Sequence, residues 1–194
     1  MSQLVTLRIE NFQIFLYDLL LRYNKKKCNL MISGGSVLRL LNSISVDLIK
    51  TDLWKIFYCD ERADKNNLNY NQSLDFLKKL ETKEIFPIKP FEEAPEREYE
   101  RVLTEIDLCL LGIGENGHIC SIWPNHSCIT STNFVESVTV NDKIPKRITV
   151  TPHFLNTKVR NLYFLIPSKE KTVKHPDKSI LKYLLKDFIV ILPE

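Results

Sequence analysis

Short apolar runs alternate with segments of helical period along this chain. Residues 11–24 place Phe12, Phe15, Leu16, Leu19, Leu20 and Tyr23 on one helical face. Residues 28–33 (CNLMIS) read as a buried strand, stopped by Gly34-Gly35 and followed by a helix-like stretch over 37–44. A second strand, 54–59 (WKIFYC), stops at Asp60-Glu61-Arg62. Helical patterns follow over 70–80 and 95–104, the latter with Pro95 suited to a first turn. Residues 106–111 form a third apolar run that ends in glycines. Residues 147–151, 162–166 and 188–192 add further strand candidates, with helical segments between them.

Strands this apolar, alternating with helices, predict an α/β protein. The expected architecture is a Rossmann-like parallel sheet with helices on both faces, over 1–194 as a single domain. No internal repeat or low-complexity linker divides the chain. In such sheets ligands sit beyond the C-terminal ends of the strands. The unusual residues fall there: Gly34-Gly35-Ser36, Asp60-Glu61-Arg62, and the stretch 112–118. Three polar loops are therefore expected to converge on one crevice.

Composition narrows the partners. The chain has 27 basic and 24 acidic side chains, a net +3, too little to indicate nucleic acid or a membrane surface. The apolar stretch 12–21 carries Gln13 and Asp18 and is too short to span a bilayer, and no secretory leader is evident. Five cysteines, at 28, 59, 109, 120 and 128, form no C-x-x-C pair, and three lie inside apolar runs. Buried free thiols in a reducing compartment, the cytoplasm, fit that pattern.

Three of the five glycines fall in LLGIGENGHICSIWP, residues 110–124. The spacing matches GxGxxG, but a dinucleotide site wants that motif after the first strand of a βαβ unit, with an acidic residue about twenty positions on. Here it lies deep in the chain, Trp123-Pro124 interrupts any helix, and Glu136 falls in no evident strand. A tight strand-exit turn explains the glycines without explaining His118. His118, Cys120, His126 and Cys128 lack the usual intervals of a zinc set, so buried thiols and a solvent-facing His126 are the better reading. Gly34-Gly35-Ser36 between strand and helix suits either a phosphate on free amides or a plain turn with Ser36 as the helix cap. A phosphate also needs cations, and Arg62, Arg147 and Lys171 each stand near a strand end.

Assembled, these residues resemble the 6-phosphogluconolactonases, of the glucosamine/galactosamine-6-phosphate isomerase superfamily that includes glucosamine-6-phosphate deaminase. The family's SGGST turn is similar to Ser33-Gly34-Gly35-Ser36. Its DER motif and Ser-Asn-Tyr segment are similar to Asp60-Glu61-Arg62 and Leu68-Asn69-Tyr70. Its LLG-x-G-x-DGH-x-x-S-x-F-P signature resembles residues 110–124, its RIT-x-T resembles 147–151, and a late strand with a lysine resembles 163–171. Departures are Val37-Leu38 for Thr-Pro, Asn116 for aspartate, Leu68 for serine, and a shorter chain before Asp107 and at the C-terminus.

The resemblance implies hydrolysis of 6-phosphoglucono-1,5-lactone to 6-phosphogluconate in the pentose phosphate pathway, with no cofactor and no metal. It implies a small-molecule sugar phosphate lactone as substrate, and a monomer without nucleic-acid or membrane partners is expected. A lactone needs a base for water, donors for the developing oxyanion and an anchor for the phosphate. His118 is the only strand-exit histidine of four, and an imidazole with a pKa near ~6.5 is mostly neutral at cytoplasmic pH. The glycine turn would aim it into the crevice and leave backbone amides free. Gly34, Gly35, Ser36, Asp60, Arg62, Asn116, Arg147 and Lys171 would bind the substrate. The rival readings are the deaminase, whose glutamate before proline is Trp123 here, and a non-catalytic sugar-phosphate sensor on the same scaffold.

Overall fold

The computed structural model describes residues 4–168 and 180–194. In chain order the first elements are β1 (Leu4–Ile9), α1 (Phe12–Leu21), β2 (Cys28–Ile32), α2 (Ser36–Ser43) and β3 (Trp54–Tyr58). β4 (Asp60–Arg62), α3 (Asn69–Gln72), α4 (Leu74–Leu77), β5 (Ile85–Phe86), α5 (Pro95–Val102) and β6 (Ile106–Leu111) follow. A 3₁₀ turn (Ser127–Thr130) then leads to β7 (Val135–Thr139), β8 (Lys146–Val150), α6 (Pro152–Lys158) and β9 (Val159–Leu165). A second 3₁₀ turn (Ile180–Tyr183) precedes β10 (Phe188–Pro193).

Seven strands form one parallel sheet in the order β1-β10-β9-β6-β2-β3-β5. The apolar runs occupy its centre: Leu30, Met31 and Ile32 of β2 pair with Leu108, Cys109 and Leu110 of β6. Both alternating sets of β6 side chains from Leu108 to Leu111 are fully buried, so both faces of the sheet are covered there. α1 packs on α2 and α2 on α4, α6 packs on β9, and α5 lies against β7 and β8. The α/β parallel-sheet expectation holds. From β2 the chain steps outward to β3 and β5, whereas from β6 it steps the other way to β9 and β10. The gap between β2 and β6 is therefore a topological switch point, where the loops leaving the two strands diverge and open a crevice.

The structure differs from the sequence reading in four places. Asp60-Glu61-Arg62 is not a strand-stopping loop. It is β4, the edge of a second sheet with antiparallel order β4-β8-β7, which also takes residues 147–151 away from the parallel sheet. Glu136 lies in a strand after all, in β7. The helix expected over 70–80 is broken at Ser73, whose buried hydroxyl meets the Tyr58 hydroxyl at 2.6 Å and donates to the Tyr70 carbonyl. β1 went unseen because most of its residues are exposed, so burial imposes no alternation on them, and its strand partner is β10, more than 180 residues away.

Leu110, fully buried between Ile32 and Tyr163 on the neighbouring strands, tests how far the sheet centre carries the fold. Leu110→Ala is expected to lower stability by about 3 kcal/mol, a melting-point drop of roughly 6–12 °C for a chain of this size. Leu48→Ala, at an exposed position, should stay within about 0.5 kcal/mol of the parent. Equal effects of the two on calorimetric melting would refute the assignment of the core.

Candidate active site

The loops leaving β2 and β6 are joined before they part. Ser33 N–H donates to the Leu110 carbonyl at 3.1 Å, and Gly112 N–H donates to Ser33 Oγ at 3.2 Å. Past that stitch lies a cleft of about 390 Å³, lined by Gly34, Gly35, Ser36, Asp60, Arg62, Asn116, His118 and Arg147. All the site residues named from sequence thus meet in one place except Lys171, which lies outside the described residues. Ser33, Asn69, Cys120, Trp123 and Asp142 also line the cleft. Nothing in the residue pattern marks Asp142, which sits in a polar stretch of no recognisable period.

The glycine-rich turn after β6 is shaped around His118. Gly114 N–H donates to the His118 carbonyl at 2.8 Å, and Gly117 N–H to the Gly114 carbonyl at 2.9 Å, while Gly117 takes a φ of +82°. The imidazole lies directly over Gly114, where a Cβ would collide with the ring. Trp123 stacks on the imidazole, with centroids 5.3 Å apart and planes within 4°. The turn leaves backbone amides without protein acceptors, as expected, but they are not those of its glycines: the N–H groups of Gly112, Gly114 and Gly117 all donate. Among the described residues, the N–H groups of Ile113, Glu115 and Asn116 have no protein acceptor.

Asn116 Oδ1 accepts from the His118 backbone N–H at 3.3 Å and lies 2.5 Å from His118 Nδ1. An atom that accepts from a backbone N–H is the amide's oxygen, and an oxygen without hydrogen requires the facing ring nitrogen to carry one. The ring proton is therefore on Nδ1, and Nε2 is the basic nitrogen.

Across the cleft, β4 divides its three charges by strand alternation. Asp60 and Arg62 face the cleft, and Glu61 points the other way and is fully buried. Asp60 Oδ2 accepts from Ser121 Oγ at 2.6 Å, and its Oδ1 accepts from Cys59 Sγ at 3.2 Å. Arg62 stands opposite Arg147 in the β4–β8 ladder, so two guanidinium groups leave the same face. α2 begins at Ser36 behind Gly35, the actual cap residue, which has φ +66° and no side-chain cap bond. Ser36 is thus the first helical residue and not the cap. Among the described residues, the N–H groups of Gly35, Ser36 and Val37 lack protein acceptors. Gly34 cannot carry a side chain either, since a Cβ would collide with the Asn69 amide.

All five cysteines are free, and four are buried. Among the described residues, no group of three or more His, Cys, Asp or Glu is placed to hold a metal ion, and no helix is long and apolar enough to cross a membrane. His126 is half-buried and not simply solvent-facing, with Nδ1 accepting from the Cys128 N–H at 3.2 Å.

The family model described as glucosamine-6-phosphate isomerases/6-phosphogluconolactonase matches residues 18–175. A probable 6-phosphogluconolactonase of Schizosaccharomyces pombe is 30% identical over 195 aligned positions, covering 84% of this chain and 73% of that protein. The chloroplastic 6-phosphogluconolactonase 3 of Arabidopsis thaliana is 31% identical over 164 positions, which is 66% of this chain and 49% of that protein. The chain thus spans about half the length of that relative. Among solved structures, a 6-phosphogluconolactonase from Thermotoga maritima superposes with a TM-score of 0.82 at 20% identity, covering 99% of this chain and all of that one. That likeness is one of fold.

Glu61 supplies a pH test of the wall behind the cleft. Its carboxylate accepts from the N–H groups of Asn69 at 2.6 Å, Arg62 at 2.8 Å and Tyr70 at 3.0 Å, tying β4 to α3. Burial pushes its pKa up to about 7, against those three donors, which pull it down. A carboxyl with a raised folded-state pKa contributes full stability below its unfolded value and loses it as pH rises through the folded one. Stability should therefore decline between roughly pH 4.5 and 7, by an amount on the order of 3 kcal/mol. Glu61→Gln is expected to flatten that decline whatever its fixed offset. Parallel urea-denaturation profiles for the two proteins from pH 4.5 to 8 would contradict this.

Proposed function

The chain belongs to the glucosamine-6-phosphate isomerase/6-phosphogluconolactonase family, and from that premise we propose that it hydrolyses 6-phosphoglucono-1,5-lactone to 6-phosphogluconate within one domain. The observation that carries this reading is the Asn116–His118 pair, because it fixes the imidazole with Nε2 as the base beside a cleft walled by arginines.

In this reading His118 Nε2 takes a proton from water as the water oxygen bonds to the lactone carbonyl carbon. The carbonyl oxygen becomes an oxyanion, for which the N–H groups of Ile113, Glu115 and Asn116 are the nearby donors. Collapse of the tetrahedral species breaks the bond from that carbon to the ring oxygen. The imidazolium returns its proton to the ring oxygen, leaving a carboxylic acid that ionises. The Asn116 carbonyl keeps the ring's orientation through the cycle without adding a charge. Trp123 stacks on the ring and the backbone of Gly114 lies close against it.

The phosphate sits far from the reacting carbon, so its anchor belongs on another wall. Arg62, Arg147 and the N-terminal N–H groups of α2 supply that anchor, by charge-assisted hydrogen bonds and the positive end of a helix. Lys171, a further cation in the sequence reading, joins them in this proposal. The deaminase chemistry found in the same family shuttles protons with carboxylates. Here an amide meets the ring nitrogen of the histidine and an indole stacks on the ring, which supports the lactonase reading.

Lactone hydrolysis by purified protein, measured above the spontaneous rate, tests the reaction. His118→Ala should lower kcat by about 10²–10⁴-fold. It should keep the parent's melting temperature within a few degrees, since the ring rests on a glycine at the cleft and outside the core. Undiminished turnover in that variant would remove His118 from the mechanism.

A further inference from the structure

The hairpin between β7 and β8 brings a carboxylate onto the arginine wall. Arg62 and Arg147 are directly opposed in the ladder, a pairing that repels unless an anion lies between or beside them. Asp142 reaches back over that hairpin and sets its Oδ2 2.6 Å from Arg147 Nη2, while Arg147 Nε donates to the Ile144 carbonyl at 2.7 Å. These bonds use two of the five guanidinium N–H donors. The arginine side chain is 9% exposed and the aspartate 43%, so the acid lies at the more open end of the pair. The Lys143 backbone N–H holds the Asp142 carboxyl below its usual range, and Arg147 and the nearby His118 add to that effect. Asp142 is therefore ionised at neutral pH, inside the cleft and beside both of its functional walls.

We propose that Asp142 is a latch on the anion subsite: its carboxylate occupies Arg147 in the empty protein and yields that arginine to the phosphate of a sugar phosphate. The proposal rests on the sugar-phosphate reading of the cleft. A phosphate dianion that reaches Arg147 must displace the carboxylate or accept its repulsion, so every anion binds more weakly than the two arginines alone would allow. The phosphate is common to lactone and product, and holding both more tightly would contribute nothing to the chemical step. A latch that loosens this uniform grip favours release while the rest of the cleft retains the sugar. The opposite role, an aspartate that orients Arg147 for the phosphate, predicts the opposite sign for its removal.

The sign is read by calorimetric titration of the parent, Asp142→Asn and Asp142→Ser with inorganic phosphate and, separately, with 6-phosphogluconate. Both substitutions lie at a partly exposed turn position, and thermal melting checks that each variant is folded. Both variants are expected to bind inorganic phosphate about fivefold more tightly than the parent, the equivalent of one half-exposed charge interaction, and 6-phosphogluconate by a similar factor. Unchanged or weaker phosphate binding in the variants, or no phosphate binding by any of the three proteins, overturns the latch. Tighter phosphate binding in the variants with no 6-phosphogluconate binding by any form would overturn the sugar-phosphate reading and leave the latch standing.

Discussion

β2 and β6 lie side by side in the sheet, yet the strands that follow them are laid down on opposite sides. The opening of the cleft follows from that divergence. The two exits are held together by the Ser33 N–H to Leu110 carbonyl bond and the Gly112 N–H to Ser33 Oγ bond, and then have to separate. A parallel sheet with both faces covered offers few other openings for a ligand. The apolar pairing of Leu30 to Ile32 with Leu108 to Leu110 fixes the register of the two exits, and so fixes which loop residues face each other.

Close approach is the second constraint. At Gly114 the space a side chain would need is filled by the His118 ring, and at Gly34 it is filled by the Asn69 amide. Each glycine is a place where a polar group is brought against the backbone, and their roles differ from that of Gly35, which takes a φ of +66°. Within the GxGxxG spacing, Gly114 answers to the packing of His118 and Gly117 to a φ of +82°. Asn116 completes the arrangement with a single oxygen that serves both the backbone N–H and the ring of His118.

The second sheet supplies the charge. Alternation along β4 sends Asp60 and Arg62 to the cleft and Glu61 into the interior, where three backbone N–H groups receive it. Antiparallel pairing then sets Arg62 against Arg147. The hairpin that makes the pairing possible also delivers Asp142, so Arg147 and the carboxylate paired with it come from one piece of chain. Ser121 ties the two halves together, with its hydroxyl on Asp60 and its N–H on Thr149 Oγ1, three residues after the histidine.

Much of this was written locally. Apolar runs of five or six residues gave the central strands β2, β3 and β6 almost to the residue, because burial on both faces leaves a composition that needs no partner to be recognised. His118, Gly34 to Ser36, Asp60, Arg62 and Asn116 were legible as strand-exit residues, and the parallel fold says where strand exits meet. The second sheet was not legible, since three residues of β4 are too short a window to show a period, and its partner strand lies some 85 positions away. For the same reason Glu61 could not be told from its neighbours: only pairing decides which face of a strand is inside. The break at Ser73 depends on a hydroxyl of Tyr58, and the place of β1 depends on β10. Asp142 shows no sequence signal because an ion pair is made by where a turn folds back, a property of the closed hairpin. Periodicity and composition act within a few residues of each other, so they determined the elements and the chemistry they carry. Contacts between distant segments decided which side chains were buried, opposed or held in reserve.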